Sequence, residues 1–256
     1  MTDHPRLIAF DLDDTLAPSK SPMPARMGAA LTALLESVPV CIISGGHFGQ
    51  FRDQVLAHLP AGPEQLTRLH LMPTCGTRYL RHDGTEWGQV YAHDLTDAER
   101  VGALAAVEGE ARRLGLWEER TWGEILEDRG SQITFSALGQ QAPLAAKKAW
   151  DPTGEKKARL RDAVAALLPD LEVRSGGSTS VDITRAGVDK AYGMERLAEQ
   201  TGIALPDMLF VGDRLDPAGN DYPVVRLGLR TRAVKDWQET AELVEGIVAG
   251  LAVTRA

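Results

Sequence analysis

The stretch "LIAFDLDDTL" at residues 7–16 runs four apolar residues into Asp11, Asp13 and Asp14, and then into Thr15. A short continuous apolar run has no polar side to turn toward water, so Leu7, Ile8, Ala9 and Phe10 read as a strand buried on both faces. Two carboxylates about 4 Å apart repel by roughly 4 kcal/mol at an effective dielectric near 20. Acids crowded at the end of such a strand must therefore be solvated, protonated or neutralised by a cation. What else reaches that strand end decides which.

Outward from this strand, apolar runs alternate with helical patterns. A helix opens at Pro24, "VPVCIIS" at 38–44 reads as a strand, a helix covers about 47–58, and "LHLMPT" follows at 69–74. The alternation returns late, with a helix at about 188–201, "MLFVGD" at 208–213, "VVRLGL" at 224–229 as a further strand, and a last helix near 236–250. Strands alternating with helices point to a parallel sheet of βαβ units, so both ends of the chain belong to one doubly wound α/β domain. Between them the pattern changes. A capping box at Thr96 and Glu99 starts a helix to about 114, "SQITFSAL" at 131–138 is strand-like, and a helix near 153–168 follows. "LEVRS" and "STSVDIT" then form a hairpin across Gly176 and Gly177. This reads as an α+β insert at 83–186, dividing a core of 1–82 and 187–256 in sequence.

The 256 residues suffice for two modest cores, and 43% hydrophobic with 25% charged residues describes an ordinary globular chain. A formal net charge of -8 argues against nucleic acid or an anionic membrane as the main partner. Cys41 and Cys75, the only cysteines, form no disulfide framework or zinc spacing. With neither a leader nor a membrane span in the sequence pattern, the reading is a cytoplasmic protein. Its oligomeric state is left open, a homodimer being one option.

The opening acids have downstream counterparts. Asp11, Ser44 and Asp213 each follow an expected parallel strand, and ligands of open α/β sheets bind outside the carboxyl ends of strands. Asn220 and Asp221 lie in "GDRLDPAGND", a loop able to fold back on the same crevice, and Lys190 in "GVDKAYG" lies near a helix start. An oxygen-rich cluster of Asp11, Asp13, Asp213 and Asp221 suits Mg²⁺, often shared with a substrate phosphate.

"DLDDT", Ser44, Lys190 and "GD…ND" together resemble the four motifs of the haloacid dehalogenase superfamily of phosphotransferases, in matching order and over essentially the whole chain. The insert resembles the C2-type cap of its sugar-phosphate branch. "GDRLDPAGND" and "GGSTSVDITRAGVDKAYG" at 176–193 further resemble eukaryotic-type phosphomannomutases. The resemblance implies Asp11 as nucleophile and Asp13 as general acid and base. It also implies Mg²⁺ held by Asp11, the Asp13 carbonyl and Asp213, with Asp221 orienting metal-bound water, and Ser44 and Lys190 on the phosphoryl oxygens. In the insert it assigns the distal phosphate to Arg129 and the sugar hydroxyls to Ser180 and Asp182. Where that family carries further basic residues, this chain has Lys20, Gln140 and Lys147. Arginine grips phosphate bidentately and lysine only as a point charge. That thinner clamp, and Ser44 where phosphomannomutases carry glycine, favour a phosphatase over a mutase. The implied activity is Mg²⁺-dependent phosphohydrolysis of a small phosphorylated sugar or polyol through an aspartyl-phosphate. A hexose phosphate mutase is the alternative, and a non-catalytic phosphosugar-binding module a third reading.

Plainer roles stand beside these. Asp14, where the superfamily usually has glycine, reads as a turn residue. Arg129 has ion-pair partners to hand in Glu124, Glu127 and Asp128. Ser180 and Asp182 could be the wet side of a strand. His47 and His93 have no ligand spacing, and Trp87, Trp117, Trp122 and Trp150 read as packing residues of the insert.

Overall fold

β1 (Leu7–Phe10) is buried at every position. In the computed structural model, which describes residues 4–255, it is followed by α1 (Ala25–Leu35), β2 (Val40–Ile43), α2 (Phe48–Gln54), α3 (Pro63–Leu66), β3 (Leu69–Met72), β4 (Arg78–His82) and β5 (Trp87–Ala92). The insert holds α4 (Asp97–Arg113), β6 (Leu126–Asp128), β7 (Gln132–Ser136), α5 (Leu144–Trp150), α6 (Glu155–Ala165), β8 (Leu171–Ser175) and β9 (Ser180–Arg185). The chain then resumes with α7 (Lys190–Thr201), β10 (Met208–Gly212), α8 (Tyr222–Val225), β11 (Arg230–Ala233) and α9 (Trp237–Arg255). Two units result: residues up to Ala92 together with those from Asp189 onward, and His93–Val188.

The first unit is a seven-stranded sheet in the order β11-β10-β1-β2-β3-β4-β5. Pairing is parallel from β11 to β3 and antiparallel at β4 and β5. Side chains alternate across a strand, so β1 feeds two cores. Ile8 and Phe10 pack with Val40, Ile42, Leu31 and Val244, whereas Leu7 and Ala9 pack with Ile43, Met194, Leu197 and Phe210. Helices cover both faces, which is the expected doubly wound α/β architecture.

Two expectations are corrected here. Residues 83–92 belong to the core unit, because β5 pairs with β4 and Trp87 packs on the core cluster. The run at 224–229 is not a strand: Pro223, with φ preset for helix, opens α8, and the edge strand is the exposed "RTRA" of β11.

The insert is an antiparallel sheet in the order β6-β7-β9-β8. Ile133, Phe135, Val181 and Ile183 pack against Val107 of α4 and Leu160 and Val164 of α6. The intervening residues Gln132, Thr134, Ser136, Ser180 and Asp182 form the opposite, polar face. The expected capping box closes α4: Glu99 N donates to Thr96 Oγ1 at 3.2 Å, and Thr96 N to Glu99 Oε2 at 2.6 Å.

α7 is positioned by close backbone approach. A Cβ on Gly193 would lie 2.3 Å from Ile43 Cδ1 and 2.7 Å from the Cys75 carbonyl oxygen. One on Gly76, at φ +85°, would lie 2.5 Å from Gly193 Cα. Backbone atoms cannot yield as a flexible side chain would, so Gly193→Ala is expected to destabilise by about 1–3 kcal/mol, read from the denaturant midpoint.

His70 on β3 shares a 2.7 Å hydrogen bond with the Tyr79 hydroxyl. Burial, helped by the Arg81 guanidinium, lowers its imidazole from 6.5 to about 3. The unfolded chain therefore binds this proton first on acidification, and the native state loses stability as pH falls from about 6.5 toward 3. His70→Asn should flatten this part of the stability profile in unfolding titrations across that range.

Candidate active site

The strand order turns at β1: β2 and β3 lie on one side, β10 and β11 on the other. Such a switch point opens a crevice at the strands' carboxyl ends. Asp11, Ser44 and Asp213 follow β1, β2 and β10 there, and Asp11 N donates to the Val211 carbonyl at 3.0 Å.

Lys190, the first residue of α7, is drawn into this crevice. The helix is capped by Asp189, whose Oδ1 accepts from Tyr192 N at 3.1 Å. Lys190 Nζ lies 2.5 Å from Asp11 Oδ1 and 2.5 Å from Asp221 Oδ1, with all three residues buried. Asp221 Oδ2 also accepts from Arg214 N at 3.1 Å, folding the loop after β10 back as expected. Gly212 makes room for it, since a Cβ there would sit 2.3 Å from Asp221 Oδ2. Asp213 Oδ1 accepts from Thr15 Oγ1 at 3.3 Å. One carboxylate oxygen each from Asp11, Asp213 and Asp221 lies within 4.8 Å of the others.

Burial raises the Asp11 carboxyl to about 8, with Asp221 adding to the shift and Lys190 opposing it. Burial also raises Asp213, again with Asp221 adding. Burial works against the Lys190 charge, but Asp11 and Asp221 outweigh it and hold the ammonium protonated. One ammonium among three acids leaves the cluster short of positive charge. Its all-carboxylate oxygen donor set suits a hard divalent cation of the magnesium or calcium type. The residues present thus fit such an ion.

Asp13 stands apart from that cluster. Its Oδ1 accepts from Lys20 N at 2.8 Å and Gln54 Nε2 at 3.1 Å, and its Oδ2 from Gln50 Nε2 at 3.1 Å and Lys20 Nζ at 2.9 Å. Burial opposes its charge, but the Lys20 ammonium and these hydrogen bonds prevail and hold the carboxyl below the usual range. A metal role for Asp13 rests on its backbone carbonyl, because its side chain is fully engaged elsewhere. Asp14 adopts φ +61°, the left-handed region that glycine favours, and its Oδ1 accepts from Ser19 N at 3.0 Å. Ser44 Oγ accepts from Gly46 N at 3.2 Å, so the hydroxyl also shapes its own loop.

The insert residues form a second group within their own unit. Asp182 Oδ1 accepts from Gln132 Nε2 at 2.9 Å and Thr134 Oγ1 at 2.8 Å. The Ser180 and Ser136 hydroxyls meet at 3.1 Å, and Gln140 Nε2 donates to Ser136 Oγ at 2.7 Å. Lys147 Nζ donates to the Gln140 carbonyl at 2.7 Å. The Arg129 side chain is 8% exposed, its Nη2 2.5 Å from Glu127 Oε2, one of the ion-pair partners named from the sequence.

Sequence reasoning missed Thr15, Gly212, Gln50 and Gln54. The glutamines carried a faint signal, an i, i+4 pair on the helix just after Ser44, but such pairs ordinarily face solvent.

On this fold, residues 141–226 match the family model described as haloacid dehalogenase-like hydrolase. The phosphomannomutase of Encephalitozoon cuniculi (strain GB-M1) is 25% identical over 230 residues, covering 87% of this chain and 85% of that one. The phosphomannomutase of Saccharomyces cerevisiae is 24% identical over 224 residues, covering 85% and 84%. The N-terminally truncated, IMP-bound IMP-nucleotidase of Plasmodium falciparum shares the fold with a TM-score of 0.68 at 14% identity, over 97% of this chain and 69% of that one. Together these findings support a haloacid dehalogenase-like hydrolase close to phosphomannomutase-like proteins, an enzyme of that superfamily's phosphatase type. Among the described residues no helix is long and apolar enough to cross a membrane.

Replacing Lys190 with methionine would leave Asp11 and Asp221 buried without their cation. Removing one partner of a buried pair costs about 3–5 kcal/mol, so Lys190→Met is expected to lose stability on that scale in denaturant unfolding.

Proposed function

We propose that this chain is a Mg²⁺-dependent phosphomonoesterase acting on a small phosphorylated sugar or polyol in the cytoplasm. The observation that carries the reading is the Asp11 carboxylate at the end of β1, held by Lys190 and grouped with Asp213 and Asp221, with Asp13 two residues on. Asp11 attacks phosphorus in line, forming an aspartyl-phosphate while the bond to the alcohol oxygen breaks. Asp13 gives its proton to that oxygen, then takes one from the water that hydrolyses the acyl phosphate and regenerates Asp11. Lys190 and Ser44 hold phosphoryl oxygens. Asp11, Asp213 and the Asp13 carbonyl would hold the ion, with Asp221 beside them. When bound it supplies positive charge against the carboxylates and the phosphoryl group.

Ser180 and Asp182 of the insert are the proposed contacts to substrate hydroxyls, and Arg129 and Lys147 of the insert and Lys20 of the core unit the contacts to anionic substrate groups. The Glu127 pair means that Arg129 reaches a ligand only by sharing or leaving that carboxylate. The phosphomannomutase likeness favours a hexose phosphate mutase as the second reading. Ser44, Gln140 and Lys147 favour the hydrolase, because a mutase must grip a phosphate at either end of a bisphosphate.

A panel of sugar phosphates that includes hexose 1-phosphates separates the two. Free phosphate is expected to accumulate, whereas the 6-phosphate without phosphate release would mean the mutase. Asp11→Asn should abolish turnover, and chelator should abolish it reversibly on adding Mg²⁺. Undiminished activity in either case would remove the reading.

A further inference from the structure

We propose that Gln50 and Gln54 are positioning residues for Asp13: one helical turn apart on α2, their amides close a hydrogen-bonded ring with Lys20 that fixes both carboxylate oxygens. The inference rests on the reading of Asp13 as the group that exchanges a proton with the leaving oxygen.

The ring is complete in its donors and acceptors. Lys20 Nζ donates to Gln50 Oε1 at 2.7 Å, Gln50 Nε2 donates to Gln54 Oε1 at 2.9 Å, and Gln54 Nε2 donates to Asp13 Oδ1 at 3.1 Å. Gln50 Nε2 and Lys20 Nζ reach the other oxygen at 3.1 and 2.9 Å. An ammonium can only donate, so it fixes the orientation of the Gln50 amide, and that amide in turn fixes Gln54. Gln54 is 5% exposed. A buried amide is costly unless satisfied, and here both of its polar atoms are engaged in the ring. The loop after β2 leaves room for the Gln50 amide, because a Cβ on Gly46 would lie 2.1 Å from Gln50 Oε1.

Proton transfer depends on the position of the group that makes it. A carboxylate held by four donors at two oxygens has one orientation. Without the amides its oxygens keep only Lys20, whose side chain is 40% exposed. Gln50 and Gln54 are not among the proposed substrate contacts, so the effect of their amides belongs to the proton-transfer step whatever the alcohol. In that step the Asp11–phosphorus bond forms, the ester bond breaks, and the Asp13 proton moves to the departing oxygen. A leaving group that departs readily as an anion needs that proton little, and a poor one needs it much.

The test compares 4-nitrophenyl phosphate, a good leaving group, with phenyl phosphate, a poor one, for the full chain and for Gln50→Met and Gln54→Met. Both variants keep side-chain length and remove the amide. Kcat/KM on phenyl phosphate should fall about tenfold or more, a fraction of the roughly 10²–10⁴-fold that general acid catalysis supplies. On 4-nitrophenyl phosphate it should fall less than about threefold, and inhibition by inorganic phosphate should be unchanged. Equal losses on both esters, a gain, or no loss would overturn the proposal. Should Gln54→Met fail to fold by thermal unfolding, the less buried Gln50→Met decides alone. Asp13→Asn serves as reference: leaving-group dependence there without it in the glutamine variants sinks only the positioning role. If the unaltered chain cleaves neither ester nor any sugar phosphate, the phosphomonoesterase reading fails, and this inference with it.

Discussion

The Lys190 ammonium, buried between Asp11 and Asp221, is the interaction on which the rest of the site depends. Burying a carboxylate is costly unless it is paired and hydrogen-bonded. Two acids brought to neighbouring strand ends would otherwise force the crevice open to water or into protonation. Several features elsewhere in the core make sense as conditions for that lysine. Asp189 caps α7 so that the helix begins at Lys190. Gly76 and Gly193 let the helix approach the loop after β3 more closely than any side chain would allow. Gly212 leaves the space that Asp221 fills. None of these glycines touches the crevice chemistry, yet each constrains where the charge sits.

Asp11 and Asp13 are the same residue type two positions apart on one strand end, and their surroundings push them in opposite directions. Burial holds Asp11 above the usual carboxylate range, while at Asp13 Lys20 and the Gln54 amide outweigh burial and hold the carboxyl below it. Under the proposed mechanism each carboxyl then needs the reverse of its resting preference. A nucleophilic Asp11 has to be ionised, which added positive charge at the oxygen cluster favours. Asp13 has to carry a proton when the leaving oxygen takes it.

Much of this was legible in the sequence where burial writes a two-faced signature. β1, β2 and β10 are continuous apolar runs because helices cover both faces, and the acids and serine after them were legible by position alone. The capping box of α4 was legible because its two hydrogen bonds need only local residues. β5 was not, since "WGQVYA" is largely exposed and has no apolar run to reveal it. β11 is an exposed edge, while the apolar residues before it are spent on α8 and a turn. The Asp13 ring escaped notice for a related reason. Glutamines at i, i+4 on a short helix look like a solvated face, and only the fold brings them to a carboxylate about forty residues earlier in the chain.

The insert poses a separate physical question. A four-stranded sheet with helices on its apolar face could leave its other face to water, yet Gln132, Thr134 and Ser136 on that face are all buried. Buried polar groups are tolerated when they are hydrogen-bonded to one another. These are: Asp182 gathers Gln132 and Thr134, and Ser136 joins Ser180 and Gln140. Such a network holds Asp182 and Ser180 in one orientation at no more than modest net gain in stability, because each bond replaces one to water. Its stronger consequence concerns selectivity. A site built of fixed hydrogen-bonding groups rejects a ligand lacking the matching hydroxyls far better than an apolar pocket rejects a misplaced methylene, since the unmatched groups are left unpaired. If substrate hydroxyls meet this face, discrimination among sugars resides in Ser180, Asp182 and the residues that pin them.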